Sequence, residues 1–284
     1  MDDLYFGLAL IAALSLAMFF ALAAWSKRLS HLGRTVLAAA IVATMGLYVQ
    51  FVWQSTTLAQ WLPVSNLIVV GNWFPLFLAA LAGIVLQLAQ LALLRRGAII
   101  SLLAGFAGYA VLTPLLGSPP ECGDRWTTHG DCVQTTDFTC SAASAATLLR
   151  AHGIEATERE MAQLCLTRAG TSWLGLYRGL KRKTAGTAWD VEVVHCSVEE
   201  LPRFADRAMI VEVGLEDGAR VDPAFRNEFG WVPGMRHSVV LSGFSGNRAQ
   251  VVDPSPFVGR EQWDRETLDL LWRGHGFRLV ERDP

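Results

Sequence analysis

The chain has 284 residues, 52% hydrophobic and only 18% charged, with a net charge of −2. Soluble domains average nearer a quarter charged, and the charges here are unevenly placed. Residues 1–117 hold just Asp2, Asp3, Lys27, Arg28, Arg34, Arg95 and Arg96, and none lies between Thr35 and Leu94; this excludes both a uniform soluble domain and a disordered chain. The charge-rich remainder carries 19 Lys+Arg against 24 Asp+Glu, the wrong sign for neutralising nucleic-acid phosphates.

Four apolar stretches approach the roughly 20 residues that a bilayer-crossing helix needs: Leu4–Trp25, Thr35–Trp53, Trp73–Leu94 and Gly97–Leu116. Residues 1–117 therefore read as an α-helical transmembrane domain of four spans, and 118–284 as a second domain in water. The Leu67–Val70 piece is too short to span and is expected at the interface or re-entering beside the bundle. Trp25, Trp53, Trp61 and Trp73 sit near expected helix ends, where indole favours the headgroup level. The polar Asn72, Gln87 and Gln90 suit either interhelical hydrogen bonds or a lipid-like ligand. A plain anchor is the simplest role for this half.

Lys27, Arg28 and Arg34 occupy one spacer, and Arg95 and Arg96 the other. With four spans both spacers face the same side, which the positive-inside rule makes the cytoplasm. The N-terminus and the whole C-terminal domain are then expected outside a cytoplasmic (inner) membrane. The start, Met1-Asp2-Asp3, lacks a signal-peptide cleavage pattern, so span one is expected to be retained.

All five cysteines, Cys122, Cys132, Cys140, Cys165 and Cys196, lie in the second half. An extracytoplasmic domain permits disulfides. Cys122–Cys132 is the natural pair and Cys165–Cys196 the second, leaving Cys140 as a thiol. Metal-ligand spacing is missing, so no metal or other cofactor is expected.

Cys140 begins a run of small, helix-forming residues, Ser141 to Leu149, that Gly153 ends. A cysteine at a helix N-terminus is favoured as thiolate, the nucleophilic form. Gln134, six residues upstream, is placed to donate an amide N–H to a developing oxyanion. His237 opens the strand-like run His237–Phe244 and is the best base. Asp253 ends the next run, Arg248–Asp253, before Pro254. A Ser245-Gly246-Asn247 turn between them brings His237 and Asp253 together as base and orienter.

Gln-x5-Cys with a following helix, then His-x-Val-Val-Leu-x-Gly-Phe, then Val-x-Asp-Pro, resembles the bacteriocin-processing, double-glycine family of papain-like cysteine peptidases. The likeness runs from about Gln134 to Arg260, and Gly170–Leu180 resembles one of that family's helices. It implies an α+β papain-like fold, with Cys140 as nucleophile, His237 as base, Asp253 as orienter and Gln134 in the oxyanion hole. Two features depart from the family. Ser141 stands where glycine is common, and no phosphate-binding GxxxxGK[ST] loop exists, so no nucleotide partner is expected.

Further along, Thr157–Glu160 reads as a capping box opening a helix to about Leu166, and Ser172–Lys183 as an amphipathic helix. Trp189–Val194 and Met209–Gly214 read as strands, with a short helix or turn at Val198–Phe204 between them. Glu216–Gly234 reads as a loop beside the cleft, Glu261–Trp272 as a late helix, and Phe277–Val280 as the last strand. His195 reads as structural, and His129, His152 and His275 show no partner pattern. The expected protein is a membrane-anchored cysteine peptidase acting on a secreted or membrane-associated peptide or precursor. Its rivals are a catalytically silent peptide-binding module and a transporter accessory of the same fold.

Overall fold

The computed structural model describes residues 1–227 and 230–282, in two compact units, Met1–Leu116 and Gly117–Pro284. Glu228 and Phe229 of the expected Glu216–Gly234 loop lie outside the described residues.

The first unit is helical: α1 (Asp2–Ser26), α2 (His31–Phe51), α3 (Thr57–Trp61), α4 (Leu67–Val70), α5 (Phe74–Val85) and α6 (Leu93–Leu112). Four stretches are long and apolar enough to cross a bilayer: Asp2–Ser26, His31–Phe51, Leu67–Val85 and Leu93–Leu115. The third differs from the expected Trp73–Leu94. It gains α4, whose Leu67 and Val69 are buried against α1, and it stops at Val85. Basic side chains hold carbonyls of the turn that follows. Arg34 Nη1 donates to Gln87 O at 2.8 Å, and Arg96 donates to Leu86 O and Leu91 O. Gln87 and Gln90 thus lie in a turn rather than a span. Asn72 does tie two helices, donating to Ala110 O at 2.7 Å.

The second unit is α+β. A two-stranded ribbon, β1 (Arg125–Trp126) and β2 (Cys132–Val133), precedes three helices: α7 (Cys140–Ala151), α8 (Glu158–Leu164) and α9 (Trp173–Thr184). Then come β3 (Trp189–His195), β4 (Met209–Val213), the short α10 (Pro223–Asn227), β5 (His237–Ser245), β6 (Arg248–Asp253), β7 (Gly259–Trp263), α11 (Arg265–Leu271) and β8 (Trp272–Glu281). The six-stranded sheet is antiparallel throughout, in the order β3-β8-β4-β5-β6-β7.

Strand alternation divides the core. Val211, Val213, Val239, Leu241 and Val251 face a cluster with Trp263, Leu268 and Leu271. The opposite face meets α7 and α9, where Trp173 and Tyr177 pack on Phe277. The α7 helix is buried along nearly its whole length, Ser141 to Leu149, which explains its run of Ala and Ser: small side chains let the helix lie close to the sheet.

Two expectations fail at the end of the chain. Glu261–Trp263 belongs to β7, with Trp263 turned into the core, and the helix spans only Arg265–Leu271, capped by Asp264, which accepts from Thr267 N. The last strand begins at Trp272 rather than Phe277. Gly276 sits within it because a β-carbon there would strike Ile210 O on the neighbouring strand.

Candidate active site

Cys140 is the first residue of α7, after the cap Thr139. The first-turn N–H groups and the helix dipole therefore act on its sulfur. His237 is the first residue of β5, and Asp253 the last of β6. The two strands are joined by a tight turn in which Ser245 pairs Arg248 and Gly246 takes φ +58°. Since Val240 pairs Val252, Asp253 falls diagonally beside His237 on the same sheet face. Their contact is direct: His237 Nε2 lies 2.9 Å from Asp253 Oδ1. Ser255 N donates to that same oxygen at 2.7 Å. With Nε2 held by Asp253, Nδ1 is the nitrogen left for the cysteine.

The three groups shift one another. Burial alone raises the Cys140 thiol, but the His237 hydrogen bond and charge, the Ser238 backbone N–H and the Ser141 hydroxyl outweigh it and hold it below the usual thiol range. Burial alone lowers His237, but its hydrogen bonds to Asp253 and Cys140 and their negative charges raise it well above an ordinary imidazole. Burial raises Asp253, and the His237 bond and charge with the Ser255 donors bring it below its usual value. A lowered thiol beside a raised imidazole favours transfer of the thiol proton to the ring.

Gln134 and Cys140 line the same cleft of about 910 Å³, with Asp137, Arg236, His237 and Asp253. Phe225, Trp231, Val232, Met235, Phe257 and Trp263 give the cleft apolar walls. Gln134 is buried, and its backbone N–H donates to Pro254 O at 2.8 Å, tying it to the residue after Asp253. Its Nε2 donates to Thr136 O at 3.1 Å, while its Oε1 is buried without a hydrogen-bond partner. One Nε2 hydrogen thus remains for a ligand.

The sequence reading missed several groups beside the site. Glu158 is fully buried and accepts from Thr135 N and Thr135 Oγ1, at 2.7 and 2.8 Å. It fixes the residue that follows Gln134. In sequence it looked like an ordinary first-turn acid of a capped helix. Glu212, also buried, gathers Trp173 Nε1, His275 Nε2 and Arg236 Nη1. This gives His275 a partner that no spacing revealed. Trp231, whose ring centroid lies 5.9 Å from that of His237, came from a stretch read only as loop.

The cysteine pairings are corrected: all five are free thiols. Cys122 and Cys132 are both buried beside Glu158, and burial together with that charge pushes them up to about 11 and about 12. Cys165 lies between α8 and α9, against Gly179, whereas Cys196 packs on the core beneath the other sheet face. The sheet separates those two.

No family model matches the chain, and no curated protein does. Solved structures similar to it include the peptidase domain of Streptococcus ComA, a bi-functional ABC transporter involved in quorum sensing. That likeness has 19% identity and a TM-score of 0.42, over 53% of this chain and 97% of that one. A double-glycine-motif protease from an AMS/PCAT transporter, in complex with its leader peptide, matches at 19% identity and a TM-score of 0.39, over 58% and 100%. A periplasmic domain of the Vibrio vulnificus EpsAB fusion protein matches at 16% identity and a TM-score of 0.31, over 51% and 47%.

Proposed function

We propose that the chain is a membrane-anchored cysteine peptidase that hydrolyses a peptide bond in a secreted or membrane-associated peptide or precursor. The observation that carries this reading is Cys140 at a helix N-terminus, against a His237 ring that Asp253 holds at 2.9 Å, in an open cleft. The Cys140 thiolate attacks the scissile carbonyl carbon. The Cys140 backbone N–H and the Gln134 amide receive the oxyanion. The His237 imidazolium protonates the leaving amine, and neutral His237 then takes a proton from the water that opens the thioester. Asp253 holds the ring so that Nδ1 faces the sulfur. The apolar walls exclude water and grip non-polar side chains of the substrate.

Labelling by an epoxide affinity probe in the full-length protein tests the pair. Modification is expected at Cys140, stoichiometric and lost in His237→Ala. Its rate rises as Cys140 ionises below the usual thiol range of about 8–9. It falls again only where His237 loses its proton, well above the usual 6.5 or so. Labelling that climbs through ordinary thiol pH, unaffected by His237→Ala, contradicts the reading.

The helices of residues 1–117 serve as the anchor, with the N-terminus and the catalytic unit outside the cytoplasmic membrane. The five basic residues of the two spacers support this side. A reporter enzyme active only outside the cytoplasm, fused after Val280, is expected to be active; a silent but expressed fusion reverses the orientation.

A further inference from the structure

The residue after Cys140 meets the residue after His237. Ser141 Oγ lies 2.8 Å from Ser238 Oγ, both buried, and 4.0 Å from Cys140 Sγ. Ser144, one turn further into α7, donates to Ser238 O at 2.9 Å. His237 shares a sheet face with Val239, so alternation turns Ser238 to the opposite face, toward α7. Besides the imidazole, the sulfur therefore has the Ser141 hydroxyl near it, and that hydroxyl is in turn held by Ser238.

We propose that Ser141 is a positioning residue of the site: its hydroxyl, oriented by Ser238, donates to the Cys140 sulfur and holds the thiolate against His237. This rests on the reading of Cys140 as nucleophile. Each hydroxyl carries one proton. If Ser141 gave its proton to Ser238, the sulfur would face an oxygen lone pair. A thiolate only accepts, so it selects the other direction, with Ser238 donating to Ser141 and Ser141 to sulfur. Burial strengthens such a chain by removing competing water. No bond is made or broken; the hydroxyls supply only hydrogen bonds, and His237 remains the group that moves protons.

Other charged groups around the sulfur are accounted for. Asp137 and Arg236 line the cleft, and Asp253 is taken by His237. Glu212, which pairs Ser238 across the strands, is held by Trp173, His275 and Arg236. None of them supplies the neutral donor that Ser141 does.

The test is the pH dependence of Cys140 alkylation by iodoacetamide in the detergent-solubilised full chain, read by mass spectrometry of the Cys140 peptide. In wild type the midpoint is expected below the ordinary thiol value of about 8.5. Ser141→Ala, a near-isosteric change, is expected to raise it by about half to one pH unit, so that the rate at any pH well below the wild-type midpoint falls roughly 3- to 10-fold while the alkaline plateau is unchanged. Ser238→Ala shifts it the same way, and the double variant shifts no further than Ser141→Ala alone, because the two hydroxyls act as one chain. Ser144→Ala, which loses a hydroxyl from the same interface without reaching the sulfur, leaves the midpoint in place. An unmoved midpoint in Ser141→Ala overturns the proposal. So does an equal shift in Ser144→Ala, which would mark a general loosening of α7 on the sheet. A wild-type midpoint at the ordinary thiol value is a different failure: it removes the activated nucleophile itself.

Discussion

Cys140→Ala and His237→Ala are each expected to lower the rate of peptide-bond cleavage by about 10⁴-fold or more, and the double variant no further than the worse single. In the proposed mechanism the two side chains work as one ion pair, so removing either leaves nothing for the other to do. Without His237 the thiol returns toward an ordinary cysteine and the leaving amine has no proton donor. Asp253 behaves differently. Its Oδ1 accepts from both His237 and Ser255 N, so an asparagine in its place is oriented by Ser255, with its carbonyl oxygen toward the ring. Asp253→Asn therefore retains the imidazole geometry and exchanges a charged acceptor for a neutral one, a loss of roughly tenfold. Asp253→Ala frees the ring and is expected to cost far more. Initial rates on a cleavable peptide, measured for the four variants and the double, check the order. Additive losses in the double variant would show that Cys140 and His237 do not act as a unit.

Glu158→Ala is expected to lower stability by about 2–4 kcal/mol, because each stranded Thr135 donor costs roughly 1–3 kcal/mol. For a unit of this size that is a fall in Tm of roughly 10 °C. The same carboxylate fixes Thr135, whose Oγ1 also accepts from Gly123 N at 2.8 Å. The segment before β1, the residue after Gln134 and the start of α8 thus meet at one buried acid. Glu158→Gln keeps one acceptor oxygen and is expected to fall between wild type and alanine. Thermal unfolding followed by tryptophan fluorescence reads the difference. Equal transitions for wild type and Glu158→Ala would mean the buried carboxylate bears no load in the fold.

The main elements around the site were legible because each rests on a local rule. Small residues after Cys140, a glycine stop, two β-rich runs and a two-residue glycine turn are short-range signals. Alternation alone then places Asp253 beside His237. The failures share a cause, which is that long-range partners decided the outcome. Uncharged apolar sequence continues past Val85, yet the third apolar helix stops there, and Arg96 and Arg34 take the carbonyls of Leu86 and Gln87 in the turn that follows. Glu261–Trp263 carries helix formers but pairs as an edge strand with β6. The cysteine count suggested Cys165–Cys196 as a second pair, and the sheet lies between them. Glu158 was visible only as a first-turn acid of a capped helix, whereas its contact with Thr135, 23 residues away, comes from the fold. Gln134 was chosen for its distance from Cys140. Its hold on Thr136 O and its unpartnered Oε1 arise from the fold of the loop.

The most direct test of proteolysis compares new protein N-termini in membrane and extracytoplasmic fractions of the native host, with wild-type chain against Cys140→Ala at equal expression. The account predicts termini that occur only with the intact cysteine, and those termini name the substrate and the cut. Identical profiles would contradict peptide-bond hydrolysis and leave the Cys140–His237–Asp253 cleft as a site that holds a peptide without cutting it.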